Sequence, residues 1–379
     1  MLVLFSRQSM SSHTHGAQPA NAQLGDIGTY NGLAVGPLPS LDSHPTSSPI
    51  PYPTQTFQHP IYDYEMSQQC AALTTPNTNW SFCPNKPASY LFAVLFGLTF
   101  VTHVIQMIKS RKWYCWVIAF SAAAQFATYV VRTLSILNPA NEAIYALWFV
   151  LILIAPIFTN AFVYMALGRA VYNFTSSANI FKVRAWYFGL IFVLLDITAL
   201  IIQVLGATVA SASDTKTSTI MLGLHIYMIG IGFQQLCILV FLSLAGGFHA
   251  QLKRQPATPQ RRTAFRLLYV VYGILLLITI RIIFRIIEYS DGLKSSIPQH
   301  EAFQYVLDST PMLIALVLLN VIHPGTLMKG KESDMPSRKQ RKVMKKEGVV
   351  LKGRADEYLL TSLTPYRPES RTMAYTRMV

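Results

Sequence analysis

Residues 88–108 read ASYLFAVLFGLTFVTHVIQMI, a run with no Asp, Glu, Lys or Arg. A helix needs about 20 apolar residues to cross the hydrocarbon core of a bilayer, because each residue advances it by only about 1.5 Å. This run meets that length. Working outward, comparable blocks recur at about 113–136, 143–166, 185–207, 219–243, 264–287 and 302–322. The whole chain is 52% hydrophobic and only 13% charged, against about 25% charged in a soluble domain. Such a composition cannot furnish a water-facing surface. The pattern predicts an all-α membrane protein, a bundle of seven transmembrane helices.

The loops predict its orientation. Lys109, Arg111 and Lys112 follow the first block, Arg169, Lys182 and Arg184 the third, and Lys253, Arg254, Arg261, Arg262 and Arg266 the fifth. The intervening loops carry Glu142, Asp214 with Lys216, and Asp291, Lys294 and Glu301. Lys and Arg concentrate on the cytosolic side of membrane proteins, so the N-terminus is expected outside and the C-terminus in the cytosol. Three regions result: a disordered exterior tail over 1–85, a membrane domain over 86–325 and a basic cytosolic tail over 326–379. The first is rich in Pro, Ser, Thr, His and Gln and poor in the residues that build a core. Met1 to Phe5 is too short for a signal-peptide core, which leaves the first span as the targeting signal. After His323-Pro324-Gly325 the last helix must stop.

Several smaller signals bound the chemistry. Cys70 and Cys83 lie in the exterior segment and form a disulfide candidate, whereas Cys115 and Cys237 fall within spans and read as packing residues. Asn79-Trp80-Ser81 is an exterior glycosylation sequon; Asn173-Phe174-Thr175 falls on the cytosolic side and should stay bare. The net charge of +14 is concentrated in cytosolic loops and tail, and Arg338, Lys339, Arg341, Lys342, Lys345 and Lys346 suit anionic lipid as a partner. No nucleic-acid-binding pattern is present, so nucleic acid is not an expected partner. No Walker A motif occurs, which excludes an ATP-driven pump of that type. His103, His225 and His323 make no H-x-x-x-H or H-E-x-x-H pair, and His225 falls toward the opposite membrane face from the other two. No metal, cofactor or enzymatic activity is expected.

Ionisable side chains inside a span are costly and are expected to face the bundle interior. The second block carries Gln125, Tyr129 and Arg132, the fourth Asp196 and Gln203, and the fifth Gln234 and Gln235. Arg281, Arg285 and Glu288 occupy the sixth, and Glu301, Tyr305 and Asp308 open the seventh. Residues three, four or seven apart share a helix face, so each set forms one polar stripe. By depth, Arg132, Arg281, Arg285, Glu288 and Asp308 share the outer half and Asp196 lies near the middle. The bland reading is that such pairs lock helices together. The sharper one is a polar chamber, open to the outer leaflet, that binds a charged head group. Pro156 and Pro311 remove backbone donors inside helices, which predicts kinks and free carbonyls.

The order of these residues resembles the RTA-like fungal membrane proteins, the lipid-translocating exporter family, over about 85–325. The resemblance rests on Tyr129-Val130-Val131-Arg132, Ala155-Pro156 with Tyr164 and Arg169, and Asp196 with Gln203 and Gly206. It continues through Gly223, Gly230 and Gln234, Arg281, Arg285 and Glu288, Gly292, Glu301, Tyr305, Asp308 and His323-Pro324-Gly325. Gln125 and Thr128 depart from the Glu and Gly usual in that family. The resemblance implies a multi-pass protein of the plasma membrane first and of an endomembrane second, linked to sphingoid long-chain base release, sterol-analogue and drug resistance, or porphyrin uptake. The expected function is movement or export of an amphipathic lipid, or resistance to a lipid-like toxin, with membrane lipids and amphipathic small molecules as partners. The expected binding residues are Arg132, Asp196, Gln203, Gln234, Arg281, Arg285, Glu288, Glu301, Tyr305 and Asp308. The alternative is a seven-helix receptor or sensor, although the chain lacks an acid before Arg169 and an Asn-Pro-x-x-Tyr ending.

Overall fold

The computed structural model describes residues 71–211, 217–290, 300–328, 330 and 333–346. Seven of its helices are long and apolar enough to cross a membrane. They are α1 (Lys86–Ser110), α2 (Trp116–Leu137, after a 3-10 turn over Trp113–Cys115), α3 (Glu142–Phe174), α4 (Phe188–Ser211), α5 (Thr217–Lys253) and α6 (Pro259–Ser290), then a seventh span. That last span begins with a helical turn at Glu301–Gln304, passes through a π turn at Tyr305–Ser309 and continues as α7 (Thr310–Val321). The chain is an integral, multi-pass, predominantly helical membrane protein.

Local chemistry fixes where helices begin. The Asn85 side chain accepts from the Ala88 amide at 2.9 Å, with Pro87 in the first turn of α1. Asn141 does the same for Ile144 at 3.1 Å, and Glu142 adds a negative charge to the first turn of α3. Both satisfy amides that the helix itself leaves without acceptors. Several helices outrun their apolar blocks: α3 reaches Phe174 rather than 166 and α5 reaches Lys253 rather than 243. A two-stranded hairpin, β1 (Asn179–Ile180) with β2 (Val183–Arg184), joins α3 to α4. Its turn residues Phe181 and Lys182 both have positive φ, as a tight two-residue hairpin turn requires.

Helix α3 is the axis of the bundle, with most of its apolar stretch buried, whereas α1 is largely exposed and lies at the edge. On α1 the residues Leu91, Val94, Leu98, Val101, Ile105 and Ile108 form one exposed apolar stripe. In water that stripe would promote aggregation; against acyl chains it is an ordinary lipid-facing surface. Helices α4 and α5 pack against each other through Gly206, Gly223 and Gly230, where any added Cβ would meet the neighbouring helix at less than van der Waals distance. Close backbone approach through small residues is how membrane helices gain packing energy in the absence of a hydrophobic effect between them.

The segment before α1 corrects one expectation. Residues 1–70 lie outside the described residues, but those that follow are built into the fold rather than part of a disordered tail. Trp80 is 1% exposed, and its indole N–H donates to the Ser135 carbonyl at 3.2 Å. Asn79 is also 1% exposed and donates to the Pro139 carbonyl at 2.9 Å. A glycan attached to that amide nitrogen has no room, so the folded chain argues against Asn79 as a glycan carrier. Cys83 is disulfide-bonded and Cys115 and Cys237 are free thiols, while Cys70 lies outside the described residues.

At the opposite end the basic loops meet the C-terminal segment. Buried Lys112 donates to the Gly330 carbonyl at 2.6 Å and to Ser333 and Asp334 at 2.8 Å each. Arg169 stacks over Tyr114 at 3.8 Å and Arg341 over Trp186 at 5.3 Å. His323 ends the seventh span as its proline-glycine sequel predicts, and it caps a further turn at Pro324–Leu327 by accepting from the Gly325 amide. Past 325 the described residues include a helix at Arg338–Lys346.

Candidate functional site

Arg132, Asp196, Arg281, Arg285, Glu288 and Asp308 are buried inside the bundle, and with Glu301 they fall into three groups. The first surrounds Arg132 of α2. Its guanidinium donates to Glu301 at 2.6 Å and its Nε to the Tyr305 hydroxyl at 3.1 Å. Trp148, Trp80 and Tyr305 approach the guanidinium at 4.5, 5.1 and 5.2 Å from their ring centres. A planar cation suits the faces of aromatic rings, and desolvation strengthens the attraction. Glu301 is held from the other side by the Asn85 amide at 2.6 Å. The segment before α1 thereby covers this group, with Trp80 seated among Phe82, Tyr145 and Trp148.

The second group is centred on Asp308, in the π turn. Its carboxylate pairs with both Arg281 and Arg285, and Arg285 also pairs with Glu288 at 3.1 Å. A carboxylate with two oxygens can serve two guanidinium groups at once, which leaves neither arginine without a counter-charge. Arg281 also donates to the Ile152 carbonyl at 3.2 Å. Ile152 lies four residues before Pro156, which has no N–H to give, so proline frees a carbonyl that arginine then caps. The π turn has a similar local logic. Pro311 interrupts the helical pattern, and the hydroxyls of Thr310 and Ser309 reach back to the Tyr305 and Gln304 carbonyls at 2.8 and 3.2 Å. Ser309 also shares a hydrogen bond with Tyr129 of α2.

Asp196 anchors the third group and differs from the others. It is 1% exposed, and one of its oxygens accepts from Asn160 at 3.1 Å and Tyr164 at 3.0 Å, both on α3. No cation pairs with it among the described residues. Gln203 of α4 donates to Gln234 of α5 at 3.2 Å. Asp196, Gln203, Gln234, Arg281 and Arg285 line one small cavity with Leu153, Ile157, Leu200, Tyr227, Ile231 and Ile282, with a volume of about 10 Å³. That is room for about one water.

The second and third groups adjoin one another. Arg281 borders both the Asp196 cavity and a tighter cleft lined by Gln125, Tyr129, Pro156, Asp308 and Ser309. Arg132, Glu301 and Tyr305 sit apart from that cavity, beneath Trp80. The structure corrects the idea of a chamber open to the outer leaflet: the ionic residues are packed, and the cavity they share is far smaller than a lipid head group. The neutral residues Asn160 and Trp80 complete the arrangement and escape an inspection of charges alone. Asn160 and Tyr164, four residues apart on α3, are the available signal for the first. Trp80 gave none beyond its being a lone tryptophan in a polar segment. The imidazoles of His103 and His323 approach at 6.3 Å, and no group of three metal-ligating side chains occurs among the described residues.

The "Probable lipid transporter atnI" of Emericella nidulans is 39% identical over 271 residues, covering 67% of this chain and 70% of that protein. The "Sphingoid long-chain base transporter RSB1" of Saccharomyces cerevisiae is 22% identical over 302 residues, covering 70% and 78%. The "Lipid-translocating exporter-like protein RTA1" of Leptosphaeria maculans is 24% identical over 273 residues, covering 66% and 51%. No solved structure matches. Residues 118–331, more than half of the chain and including all ten candidate binding residues, match the family described as RTA1 like protein, and the chain belongs to that family.

Proposed function

We propose that this protein moves an amphipathic lipid with a cationic amine head group, of the sphingoid long-chain base kind, across the bilayer without altering it chemically. The observation that carries the reading is the Asp196 cavity. It gathers an acid without a cationic partner, two amides and two arginines from α4, α5 and α6 near the middle of the membrane, where isolated polar groups are costly. A carboxylate attracts an ammonium, and Gln203 and Gln234 offer donors and acceptors to the hydroxyls beside it. The names of the relatives, a lipid transporter and a sphingoid base transporter among them, point the same way.

In this reading Arg132, Glu301 and Tyr305 close the site at its outer end, and Arg281 and Arg285, held by Asp308 and Glu288, form part of its wall. The end bearing Trp80 faces outward, because Cys83 is disulfide-bonded and such bonds persist in oxidising compartments. The basic loops and the Arg338–Lys346 helix then face the cytosol, where six Lys and Arg side chains suit anionic lipid. The plasma membrane is the expected site of action.

Release of labelled sphingoid base from cells tests the reading. Cells carrying the protein should release the base several-fold faster than cells without it. A Gln203→Leu, Gln234→Leu double variant matched for surface abundance should lose that gain. Equal release with and without the intact protein overturns the proposal and favours a sensor.

A further inference from the structure

The bundle treats its buried acids unequally. Glu288, Glu301 and Asp308 each pair with an arginine. Asp196 has only the neutral donors Asn160 and Tyr164, both on Oδ2, while its buried Oδ1 has no hydrogen-bond partner among the described residues. An ionised carboxylate buried in this way, with no cation beside it, is an unfavourable species, and the least demanding remedy is a proton on the oxygen left over. Arg281 and Arg285 line the same cavity but are held by Asp308 and Glu288.

We infer that Asp196 is a proton-exchange site, at which a proton and the ammonium of the lipid head group bind in alternation. This rests on the amine-lipid reading above and adds the coupling ion to it. The exchange is a simple one. The O–H bond of the Asp196 carboxylic acid breaks, the proton passes to water as the helices part, and the carboxylate pairs with the incoming ammonium. Departure of the lipid on the far side reverses the step, and the next proton restores the neutral acid. No electrons are transferred, and one cation replaces another. A proton gradient could thereby drive the lipid cation in the opposite direction without a nucleotide-binding site.

The surroundings fit an exchanger. The groups facing Asp196 that titrate or carry charge are Tyr164 from α3, Tyr227 and Cys237 from α5, and Arg281 and Arg285 from α6. Tyrosine and cysteine stay neutral near pH 7 by their ordinary pKa values, and both arginines are already neutralised, so Asp196 is the group free to change charge. Space for about one water beside it offers a route for the proton in the closed state.

Two measurements on the purified full chain test this. Infrared spectra of the wild type minus those of Asp196→Asn should contain the carbonyl band of a protonated carboxyl at neutral pH, with no lipid added. Adding a C18 sphingoid base in weak buffer should bleach the band and release about one proton per base bound. Asp196→Asn should release none, whereas Asp196→Glu should retain the exchange. Absence of the band, or base binding with no proton released, overturns the inference. Failure of the underlying reading looks different: vesicles bearing the folded wild type fail to move the base even downhill at equal pH on both sides, which removes the exchange with it.

Discussion

Asp308 and Asp196 are both buried aspartates inside the same bundle, yet one is paired with two arginines and the other, among the described residues, with no cation. Asp308 joins two arginines of α6 to the seventh span, and removing it strands Arg281 and leaves Arg285 with Glu288 alone. Asp196 bonds only to an amide and a hydroxyl of α3, and its neutral form satisfies them as well as its anion does. The contrast separates a fixed ionic lock from a site whose charge can change. Burial alone does not identify function; the identity of the partners does.

Substitutions can break or sharpen this contrast. Asp308→Ala should have the largest effect, because truncating one partner of a buried ion pair costs about 3–5 kcal/mol. Thermal unfolding in detergent measures it, and a loss under about 1 kcal/mol would dissolve the distinction. Trp80→Ala should come next at about 3 kcal/mol, since it removes a fully buried ring and one wall around Arg132. Gly223→Ala should cost about 1–3 kcal/mol by pushing α4 from α5, because the new methyl meets the Ala210 backbone. Asp196→Asn should remain within about 1 kcal/mol of the wild type, as an amide preserves size and most hydrogen bonding. A loss as large as that of Asp308→Ala would mean that Asp196 is a structural ion after all.

The seven spans are legible in the sequence because the bilayer demands long apolar blocks and little else produces them. Helix ends are less so. Hydropathy marks where a helix is greasy, and α3 and α5 continue as helices into polar Asn173 and Gln251 beyond that limit. The polar stripes are also readable, since helical spacing puts Arg281, Arg285 and Glu288 on one face. Their pairing is not: which arginine meets Asp308 depends on how α6 and the π turn pack, and a π turn shifts the register of every residue before it. Trp80 is hidden by averaging. It sits in a stretch whose Pro, Ser and Thr content reads as unfolded, but its indole and three neighbouring rings hold that stretch against the bundle.

If the protein itself carries the lipid, transport needs no other component. Vesicles containing the purified full chain, loaded with radiolabelled C18 sphingoid base on one side at equal pH, should transfer it to acceptor vesicles several-fold faster than protein-free vesicles, and Asp196→Asn should slow that transfer. Equal rates with and without folded protein would contradict the claim.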